Sequence, residues 1–283
     1  MKSRTEESMT RINGRSHVLL CASVALLLAA MQPKIADAQP AEYLKDAAPW
    51  YNNTRGISGL WNMQGYVSSS TNPPRARVAR DINGEIPPLL PWAKELLEKR
   101  LVDAENDKAF PNTASLCLPQ GIPYMLHAAV GGPLQILETP GQVTFISDAY
   151  NEFFMVYLDK KLPPLEDIEP TYHGESVGRW EGDTLVISSA GFKTITTLDQ
   201  VGMPHSEEMR VTTRIRRTDL QTLEFLVTVD DPKTFSRPWT RRQLYKKAAD
   251  NARIAEVVCE NQRNGLDPET GYQSLEFKPP PIR

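Results

Sequence analysis

Three cysteines in 283 residues, none of them in a C-x-x-C pair, leave no zinc ribbon and no thioredoxin-type redox motif. The chain also has no P-loop, no G-x-G-x-x-G fingerprint and no H-E-x-x-H motif, which argues against nucleotide-dependent, dinucleotide-dependent and zincin chemistry. No run of Lys or Arg exceeds two residues and the net charge is −3, so the basic face of a nucleic-acid binder is missing. Hydrophobic residues at 40% and charged residues at 24% exclude a disordered or collagen-like chain. Long apolar runs are scarce as well, and the single clear one lies at the start.

That run, residues 18–30, follows Arg4, Arg11 and Arg15 and precedes Ala36-Asp37-Ala38, with small residues at the −3 and −1 positions of a cleavage site. The order is that of a secretory signal peptide, and the run is too short for a spanning helix. Residues 1–38 are therefore read as a signal peptide, and the mature protein as periplasmic or secreted with no stable membrane anchor. Cleavage there removes five basic and three acidic side chains, taking the net charge to −5. Cys117 and Cys259 remain, and in an oxidising compartment an even pair is most simply a disulfide. Two buried thiols are the alternative.

Residues 39–56 read as an N-terminal arm, 57–265 as a single β-rich domain and 266–283 as a tail. Strands are predicted over residues 56–67, 134–138, 142–147, 152–158, 176–180, 184–189, 207–216, 222–229 and 240–245, with a last one within 253–260, because apolar residues alternate between turn residues. Glu181-Gly182-Asp183 is a hairpin signature in which Gly supplies a positive φ. Only residues 92–103 show a helical period, with Leu97 and Leu101 four apart and Pro91 placed for the first turn. The prediction is an all-β fold, an antiparallel lipocalin-like barrel or a sandwich, with one helical excursion.

Gly59-Leu60-Trp61 resembles the start of the first strand in lipocalins, where the Trp plugs the closed end of the barrel. A broader likeness begins at Thr171. The string Tyr172-His173-Gly174-Glu175-Ser176-Val177-Gly178-Arg179-Trp180-Glu181-Gly182-Asp183-Thr184-Leu185-Val186-Ile187 is similar to a segment of a large family of exported bacterial proteins without an assigned activity. So are Met203-Pro204-His205-Ser206-Glu207, Val229-Asp230-Asp231-Pro232 and Arg237-Pro238-Trp239. The likeness spans roughly residues 110–262 and implies a compartment, not a mechanism.

Beyond residue 38 the histidines are His127, His173 and His205. His173 and His205 fall at strand ends, where barrel mouths carry their sites, and imidazole is the side chain that exchanges protons near neutral pH. They are the candidate acid/base pair, with Glu207 and Asp230 as assisting carboxylates. Asp230, rather than Asp231, is expected to face the interior. Tyr172, Arg179, Trp239 and His127 are candidate substrate-binding residues, Arg179 by stabilising developing negative charge. A zinc or iron site from His173 and His205 has no spacing motif behind it, so no metal and no cofactor are assigned. The expected function is cofactor-independent lyase, isomerase or hydrolase chemistry on a small, largely apolar or alicyclic molecule. The alternative is a lipocalin-like carrier of a small hydrophobic ligand. No nucleic-acid partner is expected.

Overall fold

Alternation of apolar and polar residues becomes nine strands that close on themselves: β1 (Gly59–Met63), β2 (Pro133–Thr139), β3 (Gln142–Ser147), β4 (Phe153–Leu158), β5 (Glu175–Glu181), β6 (Thr184–Ala190), β7 (Arg210–Asp219), β8 (Thr222–Asp230) and β9 (Trp239–Lys247). They form a closed barrel in chain order, β9 pairing with β1. The computed structural model describes residues 56–65, 72–106, 108, 113, 118–127, 133–147 and 152–255. The expected helix is α1 (Pro91–Glu105), and Tyr124–His127 form the single turn α2. A barrel, not a sandwich, is the outcome, closed by the pairing of β9 with β1.

The barrel departs from the expected antiparallel meander at one place. β4 and β5 are parallel and share only the pairs Tyr157↔Val177 and Leu158↔Gly178; every other neighbouring pair is antiparallel. Residues 159–174, with Pro163, Pro164 and Pro170, carry the chain back along the barrel so that β5 starts at the same end as β4. A run whose only helical piece is the three-residue 3-10 turn Leu165–Asp167 does not look like a crossover in sequence. The segment predicted within 253–260 has no strand as far as residue 255, and the rest of it lies outside the described residues.

The core is the barrel's inner face. Alternation holds most strictly on β7, where Val211, Thr213 and Ile215 are buried and their neighbours are exposed. Leu223, Phe225, Val227 and Val229 on β8 oppose Tyr245, Gln243, Arg241 and Trp239 on β9 across one face. Phe145 stacks on Phe154 with centroids 4.6 Å apart, and Phe225 packs against Tyr245 at the same separation. Each such ring contributes roughly 1.5–3 kcal/mol by burial.

One end is sealed by the G-x-W segment. Trp61 is wholly buried, and its indole N–H donates to the Ile57 carbonyl at 2.9 Å. The Arg217 guanidinium lies 5.2 Å from the Trp61 ring centroid and donates to the Gly56 carbonyl. Glu138 Oε1 accepts from the backbone N–H groups of Ile57 and Ser58 at 2.6 and 2.7 Å. The turn at Gly182, with φ +64°, lies at this end too.

The opposite end carries the long loop 191–209 and the turn 231–238. α1 buries Ala93, Leu97 and Leu101, spaced at i, i+4 and i+8. Its Arg100 donates to the Gly202 carbonyl, which ties the helix to the long loop. α2 reaches the barrel's inner face, where the Tyr245 hydroxyl donates to the Leu126 carbonyl at 3.1 Å.

Candidate functional site

Above their two shared pairs β4 and β5 diverge, and a pocket of about 360 Å³ opens between them. Phe153, Met155 and Tyr157 project from the outer face of β4 as one wall; they are 58%, 38% and 43% exposed, unusual for side chains of that size. His173, Gly174 and Ser176 form the other side.

His173 does not stand alone. Its Nε2 is 2.9 Å from Glu152 Oε2, and its ring lies nearly parallel to Phe154 with centroids 6.1 Å apart. The carboxyl group of Glu152 is almost wholly buried, and it accepts from the backbone N–H groups of Gln120 and Gly121 at 2.6 and 3.3 Å. Three donors converge on one carboxylate, so its position is fixed from two separate chain segments. Gly121 is required by the same geometry. Its φ is +77°, and a Cβ there would sit 2.2 Å from the Tyr172 carbonyl oxygen. Since a carboxylate accepts, Nε2 carries the imidazole proton and the Nδ1 lone pair is left without a protein partner among the described residues.

Glu152 was not singled out from the sequence. It precedes β4 and lies 21 residues from its histidine, so only the fold brings them together. An acidic residue directly before an apolar strand, buried instead of exposed, is the only trace, and it is not legible without the structure.

His205 is differently placed. It is 4% exposed, with Nδ1 donating to the Ser206 carbonyl at 2.9 Å and Nε2 2.7 Å from the Thr196 hydroxyl. Phe192 meets its ring edge-on. Burial holds its pKa below the ordinary histidine value. Both ring nitrogens are occupied by protein groups, so this imidazole pins a loop.

The expected carboxylates are corrected. Val229 faces in, so by strand alternation Asp230 faces out and is exposed; Asp231, just beyond the strand, is the buried acid, at 1% exposure. It accepts from the backbone N–H and hydroxyl of Ser206, both at 2.6 Å. Glu207 is exposed and paired with Lys233 at 2.7 Å, which holds its pKa below the usual carboxylate range. Of the four acid/base candidates only His173 lines the pocket.

Among the binding candidates, Tyr172 is half-buried with the Lys193 ammonium 4.8 Å from its ring centroid. Arg179 is exposed, pairs with Glu181 near the closed end, and cannot serve a site at the other. Trp239 is buried on the barrel's inner face. His127 ends α2. Cys117 and Cys259 lie outside the described residues.

Gly174-Glu175-Ser176-Val177-Gly178 has the spacing of the hydrolase motif G-x-S-x-G. The motif needs a sharp turn from strand to helix. Here it spans the start of β5, and the buried Ser176 hydroxyl is 2.7 Å from that of Ser189. It is a strand, not a nucleophile elbow. Among the described residues no group of three or more His, Cys, Asp or Glu is placed to hold a metal ion. The chain matches no protein-family model and no curated protein.

Proposed function

We propose that this chain is an exported barrel enzyme in which His173 moves a proton to and from a small, largely apolar substrate seated between β4 and β5. The observation that carries the reading is the His173–Glu152 pair at the pocket. Glu152, held by two backbone donors, accepts the Nε2 proton and so keeps the Nδ1 lone pair as the base. When Nδ1 takes a proton, the imidazolium is stabilised by the same carboxylate. The wall of Phe153, Met155 and Tyr157 suits an apolar or alicyclic body. The signal-peptide pattern of residues 1–38 supports export. A carrier would use the same apolar wall but has no need of an oriented imidazole, so the pair favours catalysis.

The test uses the mature chain in D₂O with cyclic ketones, and in buffer with lactones of similar size. Abstraction of an α-proton appears as deuterium uptake, hydrolysis as acid release. The expected result is turnover of at least one class, lost by about 100-fold or more in His173→Gln. Turnover unaffected by that change, or none with either class, overturns the proposal.

A further inference from the structure

The chain reaches α1 through the 3-10 turn Pro74–Arg77 and a loop over residues 78–88. Both ends of that loop are fastened. The Ala79 N–H donates to Asp199 at 2.9 Å. At the other end the Leu90 N–H donates to the Thr234 carbonyl at 2.8 Å, and the Pro88 carbonyl accepts from the Ser236 N–H at 2.9 Å. The 3-10 turn is tied to α1 by Arg75, which pairs with Glu98 and Glu105 at 2.6 and 2.8 Å. Tethered on both sides and stiffened at Pro87 and Pro88, the loop stands off the helix, and a pocket of about 370 Å³ lies between them.

The pocket joins an apolar interior to a cationic rim. Val78, Leu97 and Leu101 are buried side chains that form its floor, and Ile86, Pro88 and Leu89 form a wall. Ile86 is 48% exposed, so its apolar surface is open to whatever enters. The charged groups of the lining are Arg75, Arg80 and Lys94, with Glu98 as the acid. Arg75 and Glu98 neutralise one another through two hydrogen bonds, at 2.6 and 3.1 Å. Arg80 and Lys94 are exposed, and neither forms an ion pair or a side-chain hydrogen bond among the described residues. Two solvated cations on a surface carry no meaning by themselves. Here they stand at the edge of an apolar pocket whose volume falls within the range of small-molecule sites.

We infer that this pocket binds a small anionic amphiphile, the tail of an alkyl carboxylate lying against Leu97, Leu101 and Ile86 while its head group meets Arg80 and Lys94. Burial of the tail supplies affinity, and the two unpaired cations supply the preference for a negative head. Because the walls are already held by the contacts of Ala79, Leu90 and Arg75, little ordering is needed on binding. The pocket shares no residue with the one between β4 and β5, so the inference is independent of His173.

The full chain labelled with ¹³C-methyl isoleucine tests it, the Ile86 resonance being identified by its loss in Ile86→Val. Sodium octanoate is expected to shift that resonance saturably, and octanol, octylammonium and acetate to bind at least tenfold more weakly. Replacing the two exposed cations together, Arg80→Gln with Lys94→Gln, is expected to weaken octanoate about tenfold. No saturable shift with octanoate overturns the inference. Octanol or octylammonium binding as tightly would make the pocket an apolar patch without charge preference, and acetate binding as tightly would reduce it to surface charge; either overturns it. Undiminished octanoate binding in the double variant does so as well. If that variant does not fold, the comparison of the four ligands on the unaltered chain decides.

Discussion

Asp231 accepts both the backbone N–H and the hydroxyl of Ser206, each at 2.6 Å, and so fastens the end of β8 to the loop that carries His205. The Lys233 N–H adds a third donor to the same carboxylate. Replacing this group with Ala strands three buried or half-buried donors, and Asp231→Ala is expected to cost about 2–4 kcal/mol. Asp230→Ala next door removes an exposed carboxylate and should change stability by no more than about 0.5 kcal/mol. Urea unfolding of the two variants measures the difference. Equal effects would mean that Asp231 is not the fastening.

His205 gives stability a pH dependence of known sign. Burial lowers its folded-state pKa beneath the ordinary value of 6.5. The unfolded chain therefore binds the proton more tightly, so His205's contribution is whole above pH 6.5 and is lost as the pH falls from there toward the folded value. The slope from this one group is at most about 1.4 kcal/mol per pH unit. Unfolding free energy measured from pH 7.5 to 5 is expected to fall less steeply in His205→Gln than in the unaltered chain. Parallel curves would show that the imidazole does not titrate in this range.

These two positions show what the sequence carries and what it withholds. Alternation marked β7 and β8 within three residues at each end, because one face of each strand is buried and the pattern is local. The same alternation, applied one residue further, places Val229 inward and Asp230 outward; Asp231 lies beyond the end of β8, where the alternation no longer holds, and is buried. The place of Trp61 at one end is carried by the G-x-W resemblance alone, and the indole's hydrogen bond to the Ile57 carbonyl is also local. The Glu152–His173 pair was not legible. It depends on the parallel step from β4 to β5, and that step depends on where residues 159–174 lead the chain, which no period records.

The closed end yields a further prediction. Glu138 Oε1 accepts three hydrogen bonds, from the backbone N–H groups of Ile57 and Ser58 and from the Ser58 hydroxyl at 3.1 Å. It holds in place the chain segment whose Gly56 carbonyl receives Arg217. Glu138→Ala is expected to cost about 1–3 kcal/mol and to raise acrylamide quenching of Trp61 fluorescence, read in a chain where the other tryptophans are Phe. Unchanged quenching would mean that the end stays sealed without Glu138.

Glu152→Gln separates the proposed chemistry from the fold around it. The shorter of the two backbone bonds to Glu152 runs from Gln120 at 2.6 Å to Oε1, so the amide oxygen of a glutamine belongs there. The NH₂ group then occupies the place of Oε2, leaves the longer bond from the Gly121 N–H, 3.3 Å, without its acceptor, and points a donor at His173 Nε2, which had been donating. Two donors cannot share that 2.9 Å contact. The imidazole is relieved by giving up its Nε2 proton and taking one on Nδ1, which places the lone pair against the introduced amide and removes the base from the pocket. The expected outcome is an exchange of the His173 ring ¹⁵N shifts between the two tautomer patterns, a cost in stability of about 1–3 kcal/mol, and turnover reduced by about 100-fold or more. Loss of turnover with the original tautomer retained would assign the effect to packing, and an exchanged tautomer with full turnover would remove His173 Nδ1 from the mechanism.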